Sequence, residues 1–149
     1  MRFGLIGKTL GYSFSQKFFT ERFAEWGLDY HYENYEVPTV SELAPLLAQS
    51  DCEGFNVTIP YKEQIIPLLA GLDPHAAAIG AVNTLLRKNG SWFGYNTDFI
   101  GFGTHLQEIF PKQWSRKALI LGTGGAAKAI IYALQQLGFS TQSVSRKLS

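Results

Sequence analysis

The stretch GFNVTIPYKE, residues 54–63, carries polar side chains suited to binding a small molecule. Asn56 and Thr58 alternate with apolar residues, so an extended strand points the polar side chains to one face and the apolar ones to the other. The apolar residues, for which we predict a place in the core, are Phe55, Val57 and Ile59. Because open α/β sheets bind ligands at the carboxyl ends of their strands, Asn56 and Thr58 are candidate ligand-binding residues. The alternative is an ordinary half-exposed strand.

Lys62 follows this strand and is the candidate for proton chemistry. It comes shortly after Pro60, in the first turn of a predicted helix, where a positive charge is mildly unfavourable against the helix dipole. A lysine in a shaped site can donate or accept a proton during catalysis. Without a partner, a lysine is usually a solvated surface charge, which is the alternative for Lys62.

The stretch AVNTLLRKNGSWFGYNTD, residues 81–98, supplies a carboxylate that could be that partner. Two strand-like runs flank an Asn-Gly pair at residues 89–90, which predicts a hairpin with a two-residue turn. This register places Asn83 opposite Asn96, and Asp98 opposite the first residue of the stretch, at the open end of the hairpin. We therefore predict that Asp98 comes within side-chain reach of Asn83 and is available to Lys62.

Two hydroxyl groups lie just after the first predicted strand, in the segment GYSFS. Ser13 and Ser15 are two residues apart, so in a strand-like loop both side chains point the same way and can donate to one carboxylate. Serines in such loops also cap helices, which is the alternative for Ser15.

The stretch ILGTGGAAKA indicates a dinucleotide site. It follows a predicted strand and opens a helix, and it fits the pattern G-x-G-x-x-G/A, whose glycines allow a tight turn and close approach to a pyrophosphate. The candidate residues are Gly122, Thr123, Gly124, Gly125, Ala126 and Ala127. After the next strand an NAD-binding protein has an acidic residue, whereas this chain has Ser145, Arg146 and Lys147. Arg146 and Lys147 suit a 2′-phosphate and favour NADP; the alternative is a solvated basic turn.

Strands and helices alternate along the chain, which predicts an α/β fold. Among the helices we expect one from Ser15 to Trp26 and one from Tyr61 to Ala70 that is strained at Pro67. The strand-helix-strand order restarts after the hairpin. We therefore place a domain boundary near residue 101, between residues 1–101 and residues 102–149.

The composition favours a small-molecule partner. The net charge is +1, without a basic run, and no apolar run is long enough to cross a membrane, so neither nucleic acid nor a membrane is expected as partner. The single cysteine and the N-terminus, which lacks the features of a secretory signal, predict a cytoplasmic protein. The three histidines lack metal-ligand spacing, so we expect no metal site.

Taken together, these motifs resemble the shikimate dehydrogenase family over the whole chain. The family pattern has a Ser-x-Ser loop, then NVTIPYK, AVNT, G-x-NTD and a glycine-rich turn, and all five occur here in order. The resemblance implies a two-domain α/β enzyme that reduces 3-dehydroshikimate to shikimate with NADPH, in the synthesis of aromatic amino acids. Its first domain would bind substrate on a mixed, mainly parallel sheet, and a Rossmann-type dinucleotide-binding domain would begin after it.

The resemblance also implies a role for each matching residue. Ser13 and Ser15 would bind the substrate carboxylate, and Lys62 with Asp98 would form the catalytic pair. The ring hydroxyls would be bound by Asn56, Thr58, Asn83 and Asp98.

Two departures from the family pattern stand out. Gln16 stands where the family commonly has proline, which leaves both serine hydroxyls in place. The chain ends at Ser149, whereas the resemblance implies further strands and a returning C-terminal segment that helps to close the substrate site. We therefore expect a truncated form, whose activity and cofactor binding are open and for which a homodimer is a candidate assembly.

Three other interpretations stay open. One is a quinate/shikimate dehydrogenase that uses NAD, and the basic sequence SRK at residues 145–147 argues against it. Another is a module that binds shikimate without turnover. The third is an unrelated Rossmann protein in which the N-terminal motifs are coincidental.

Overall fold

A computed structural model describes residues 1–110 and 116–145. Within these ranges a six-stranded sheet is followed by a separate two-stranded sheet. The strands of the first sheet are β1 (Arg2–Gly7), β2 (His31–Glu36), β3 (Gly54–Val57), β4 (Gly71–Leu72), β5 (Thr84–Lys88) and β6 (Ser91–Tyr95), and those of the second are β7 (Lys117–Leu121) and β8 (Ser140–Val144). The α-helices are α1 (Ser15–Glu25), α2 (Leu43–Gln49), α3 (Tyr61–Gln64), α4 (Pro74–Ile79), α5 (Asp98–Ile109) and α6 (Gly125–Gln136). Short 3₁₀ turns occupy Val40–Glu42 and Ile66–Leu68.

The first sheet has the strand order β2-β1-β3-β5-β6-β4. Strand β1 is parallel to β2 and β3, β4 is parallel to β6, and β5 is antiparallel to both of its neighbours. The predicted α/β fold with a mixed, mainly parallel sheet is thereby confirmed. The predicted hairpin register is also present, since Lys88 pairs with Ser91 and Thr84 with Tyr95.

The main core lies under one face of this sheet. Phe55 and Val57 of β3 are each 2% exposed and point into it, whereas Asn56 is half-buried on the opposite face. Other members of the core are Ile6, Leu43, Leu47, Leu85 and Trp92, together with the fully buried Cys52. Ile59 does not join this core, contrary to prediction, because β3 ends at Val57 and leaves the Ile59 side chain 70% exposed.

The chain after Lys62 also differs from the prediction. Instead of one strained helix, α3 ends at Gln64 and a 3₁₀ turn containing Pro67 follows. Proline lacks an N–H group and its ring clashes with the preceding turn, so the helix stops rather than bending.

The second strand of the hairpin ends at Tyr95, and helix α5 begins at Asp98. Asn96 donates from Nδ2 to the backbone oxygen of Ala81 at 2.9 Å and accepts at Oδ1 from the backbone N–H of Asp98 at 3.0 Å. These bonds turn the chain into the helix, so Asp98 starts α5 and does not lie opposite Ala81. Helix α5 then runs past residue 101 without a break, and the predicted division into two domains stays a prediction.

Candidate active site

An ion pair between Lys62 and Asp98 lies at the centre of the candidate site. Nζ of Lys62 donates to Oδ2 of Asp98 at 2.6 Å, and the two side chains are 14% and 31% exposed. The backbone of Lys62 is fixed by a hydrogen bond, in which its oxygen accepts from the N–H of Val82 at 2.8 Å. The preceding residue, Tyr61, is 2% exposed and donates its hydroxyl to the backbone oxygen of Val37. A short helix is thus fixed by tertiary contacts, and its lysine is aimed at the start of α5.

Asn83 fixes the other side of the Asp98 carboxylate. Its Nδ2 donates to Oδ1 of Asp98 at 2.7 Å and to the hydroxyl of Thr97 at 2.8 Å. Its Oδ1 accepts from the backbone N–H of Thr97 at 2.8 Å and from the hydroxyl of Thr84 at 3.0 Å. Because this buried amide is bonded on both its oxygen and its nitrogen, it holds Asp98 in one orientation.

Asn56 lies on the same face of the sheet and accepts, at Oδ1, from the hydroxyl of Tyr32 at 2.8 Å. Its Nδ2 makes a long contact of 3.5 Å with the backbone oxygen of Asn83. Burial raises the pKa of the Tyr32 phenol, and a hydrogen bond with Ser15 partly opposes that rise. Tyr32 therefore links the serine loop to the polar face of β3.

The serine loop lies between β1 and α1. Oγ of Ser13 accepts from the backbone N–H of Ser15 at 3.2 Å, and both serines are half-buried between exposed neighbours. Phe14, not Ser15, is the residue that precedes the first turn of α1. Ser15 is thus available for contacts other than helix capping.

These contacts join most of the predicted substrate residues into one polar path. Successive contacts connect Tyr32, Asn56, Asn83, Asp98 and Lys62. Thr58 lies beside this path, two residues beyond Asn56, and its backbone N–H donates to the oxygen of Ile6 at 2.9 Å.

Three residues of this arrangement were missed in the sequence. Tyr32 is hidden among the aromatic residues of β2, so its pairing with Asn56 becomes visible only in the folded sheet. Asn96 and Thr97 lie within the NTD motif, and the predicted Asn83–Asn96 pairing was the one signal that pointed to them.

A groove of about 490 Å³ adjoins the polar path along the same face of the sheet. Its lining includes Tyr32, Asn56, Thr84 and Thr97, and the other lining residues are mainly aromatic and aliphatic. Tyr32 and Asn56 therefore belong both to the polar path and to the lining of this groove.

The glycine-rich turn joins β7 to α6. Gly122 has a φ of +136°, a conformation that side chains other than glycine's rarely adopt, and its N–H donates to the oxygen of Val144 at 2.9 Å. Helix α6 begins at Gly125, and Thr123, Gly124 and Ala126 are exposed at its start. This geometry fits a dinucleotide phosphate, since the positive end of the helix is open to an anion. Ser145 follows β8, while Arg146 and Lys147 lie outside the described residues.

Two kinds of feature are absent from the described part of the chain. Residues 1–110 and 116–145 hold no cluster of three or more His, Cys, Asp or Glu side chains that could bind a metal ion. Within the same ranges, no helix has both the length and the apolar character needed to span a membrane.

Comparison with known proteins connects this geometry to one family. A family model described as the shikimate dehydrogenase substrate binding domain matches residues 5–85. The shikimate dehydrogenase (NADP(+)) of Trichormus variabilis is 46% identical over 140 residues, which are 92% of this chain and 48% of that protein. The corresponding enzyme of Staphylococcus aureus strain Newman is 42% identical over 136 residues, which are 90% of this chain and 51% of that protein. The chain thus spans about half the length of these curated relatives.

Solved structures of shikimate dehydrogenases also match this chain. Shikimate dehydrogenase 1 from Peptoclostridium difficile superposes with a TM-score of 0.90 at 34% identity, over 98% of this chain and 55% of that one. Shikimate 5-dehydrogenase from Thermus thermophilus, solved in complex with NADP(H) and shikimate, gives a TM-score of 0.84 at 33% identity, over 99% of this chain and 56% of that one.

Proposed function

Because the chain belongs to the shikimate dehydrogenase family, we propose that it acts in the NADPH-dependent reduction of 3-dehydroshikimate to shikimate. The observation that carries this proposal is the ion pair of 2.6 Å between Lys62 and Asp98. It lies beside the polar face of β3, where an open α/β sheet places its ligands.

The chemistry assigned to Lys62 follows from where charge develops in the reaction. NADPH, when bound, supplies the hydride that reaches the carbonyl carbon of the substrate, and negative charge then grows on the carbonyl oxygen. The Lys62 ammonium stabilises that oxygen and donates a proton to it. Asp98 holds Lys62 through Oδ2 and is itself held through Oδ1 by Asn83. In the oxidative direction the proton returns from the substrate hydroxyl to Lys62.

The remaining assignments place the substrate along the polar path. Ser13 and Ser15 bind the carboxylate of shikimate, and Asn56 and Thr58 bind ring hydroxyls. Asn83 and Asp98 complete the hydroxyl contacts, and Asn83 also acts by orienting Asp98, to which its amide already donates. We assign the cofactor phosphates to the turn of Gly122, Thr123, Gly124, Gly125, Ala126 and Ala127, and the 2′-phosphate of NADP to Ser145, Arg146 and Lys147.

Calorimetry and a coupled assay test this proposal on the whole chain. We expect saturable binding of shikimate, weaker binding of quinate, and consumption of NADPH, rather than NADH, with 3-dehydroshikimate. Binding of shikimate without NADPH consumption would reduce the function to a binding module. Absence of shikimate binding by the folded chain would contradict the proposal.

Lys62→Ala separates catalysis from binding. We expect turnover to fall by about 10²–10⁴-fold, the range of general acid catalysis, with a much smaller loss of shikimate affinity. Lys17→Ala is the matched control, because Lys17 is a surface lysine whose side chain is 75% exposed. Equal losses of turnover and affinity in Lys62→Ala would show that Lys62 only binds the substrate.

A further inference from the structure

Helix α3 is tied to two other helices through adjacent residues. Lys62 pairs with Asp98 at the start of α5, and the next residue, Glu63, accepts a hydrogen bond from Nζ of Lys128 on α6. The side chains of Lys128 and Glu63 are 39% and 38% exposed. A helix of four residues has little stability of its own, so these attachments determine where Lys62 lies.

Gly125 makes a second contact between α6 and α3, this time at Lys62. A Cβ atom at this position would lie 2.9 Å from Cβ of Lys62 and 3.2 Å from Cβ of Ala81. Gly125 does not need glycine for its backbone conformation, since it is not among the glycines with positive φ. The requirement is space: the first residue of α6 rests directly on the stem of Lys62.

The surface on which α6 rests is packed and has little room to adjust. Ile79, Ala81 and Ala129 form a buried cluster with Phe99 and Tyr132 against it. The hydroxyl of Tyr132 on α6 also lies 2.8 Å from Nδ1 of His75 on α4. A shift of α6 would therefore be transmitted to its neighbours rather than absorbed by a gap.

We propose that Lys128 and Gly125 are positioning residues for Lys62. The Lys128–Glu63 ion pair draws α3 toward α6, and the missing side chain of Gly125 lets α6 come close enough for Lys62 to stay on Asp98. This inference rests on the proposed function, because it takes Lys62 as the proton donor. It adds that the helix starting at the dinucleotide turn and the lysine that serves the substrate are held as one unit.

Competitive acetylation of lysines, read peptide by peptide by mass spectrometry, tests the proposal without any substrate. We expect Lys128→Met to raise the labelling rate of Lys62 by about two- to five-fold, the range that a partly exposed ion pair supports. Lys128→Arg keeps the charge and should restore the rate of the parent chain. Gly125→Ala should raise the rate as well, whereas Gly101→Ala, where a Cβ meets nothing within 4 Å, should not.

The rate at Lys17 and the melting temperature are recorded for every variant. An unchanged rate at Lys62 in Lys128→Met would overturn the proposal, and so would an equal rise in Lys128→Arg. A rise at Lys17 equal to that at Lys62 would indicate general loosening and would also overturn it. Labelling with shikimate present separates the two levels of inference. If the labelling rate of Lys62 rises in Lys128→Met but shikimate does not protect Lys62 from labelling, the positioning role stands and the proposed function fails. If shikimate protects Lys62 but Lys128→Met does not change its labelling rate, the proposed function stands and the positioning role fails.

Discussion

The two sheets of this chain bury their apolar side chains to very different degrees. Leu85, on β5 of the six-stranded sheet, is 1% exposed, whereas Leu121, on β7 of the two-stranded sheet, is 82% exposed. Strand β5 has a neighbour on each side, while β7 pairs only with β8 in the described part of the chain. A strand becomes a core element when neighbouring strands and a packed face surround it, and an apolar sequence alone does not achieve this.

The same difference applies to the two predicted binding regions. Most of the predicted substrate residues make side-chain hydrogen bonds whose partners lie within residues 13–98. The glycine-rich turn, by contrast, rests on the strand pair β7–β8 and on the contacts that α6 makes with α3, α4 and α5. Residues 13–98 therefore form most of their contacts among themselves and receive further contacts to α3 from α6, whereas the turn depends mainly on the elements around it.

The largest expected effect comes from truncating one leucine in each sheet. Leu85→Ala should lower the free energy of unfolding by about 2–5 kcal/mol, because it leaves a cavity in a closed core. Leu121→Ala should change it by less than about 0.5 kcal/mol, because the side chain is already in contact with solvent. Urea denaturation followed by tryptophan fluorescence measures both. Equal losses would contradict the contrast between the sheets and would show that Leu121 is covered in solution.

A smaller effect is expected from Asp98→Asn, which keeps the shape of the side chain and removes its charge. Lys62 loses its ionic partner, so shikimate affinity should fall by about 1.5–3 kcal/mol, the range of hydrogen bonds that involve a charged group. Calorimetry measures the loss. Asp29→Asn is the control, since the Asp29 side chain is fully exposed and should leave affinity unchanged. Affinity that is the same in Asp98→Asn as in the parent chain would remove Asp98 from the site.

The smallest effect concerns the free energy of unfolding at alkaline pH of the part of the chain that forms the six-stranded sheet. Burial raises the pKa of Tyr32 above that of an unfolded tyrosine, which is about 10. The stability that the neutral phenol contributes is therefore complete below about pH 10 and is lost as the pH rises further. Tyr32→Phe should cost about 0.5–1.5 kcal/mol at neutral pH, through loss of the bond to Asn56, and should make stability fall less steeply above pH 10.

Denaturation curves at neutral and alkaline pH measure both parts of this prediction. Tyr12→Phe is the control, because Tyr12 is 79% exposed. The same alkaline loss in Tyr32→Phe as in the parent chain would show that Tyr32 does not contribute to it.

Local patterns in the sequence predicted a large part of this architecture. The Asn-Gly turn set the hairpin register, and alternation assigned Phe55 and Asn56 to opposite faces, because both signals act over a few residues. Asn83 and Asp98 were predicted to be close from that register; their side chains do meet at 2.7 Å, but Asp98 reaches this position from the start of α5.

The errors and omissions concern places where tertiary contacts decide the outcome. Ile59 was placed in the core because alternation does not say where a strand ends. The turn into α5 also uses a bond from the Asn96 side chain to the backbone of Ala81, fifteen residues earlier, which no local pattern predicts. The bond from Tyr32 to Asn56 spans two strands that are not adjacent in the sheet, so no pairing rule predicts it.

The buried position of Cys52 has a practical consequence. It is the only cysteine of the chain and its side chain is inaccessible, so a thiol reagent can reach it only when the surrounding core opens. The rate of its modification in the native protein would thus report how often the six-stranded unit opens, without an added label. Cys52 is thus an intrinsic probe of the rate at which that core opens.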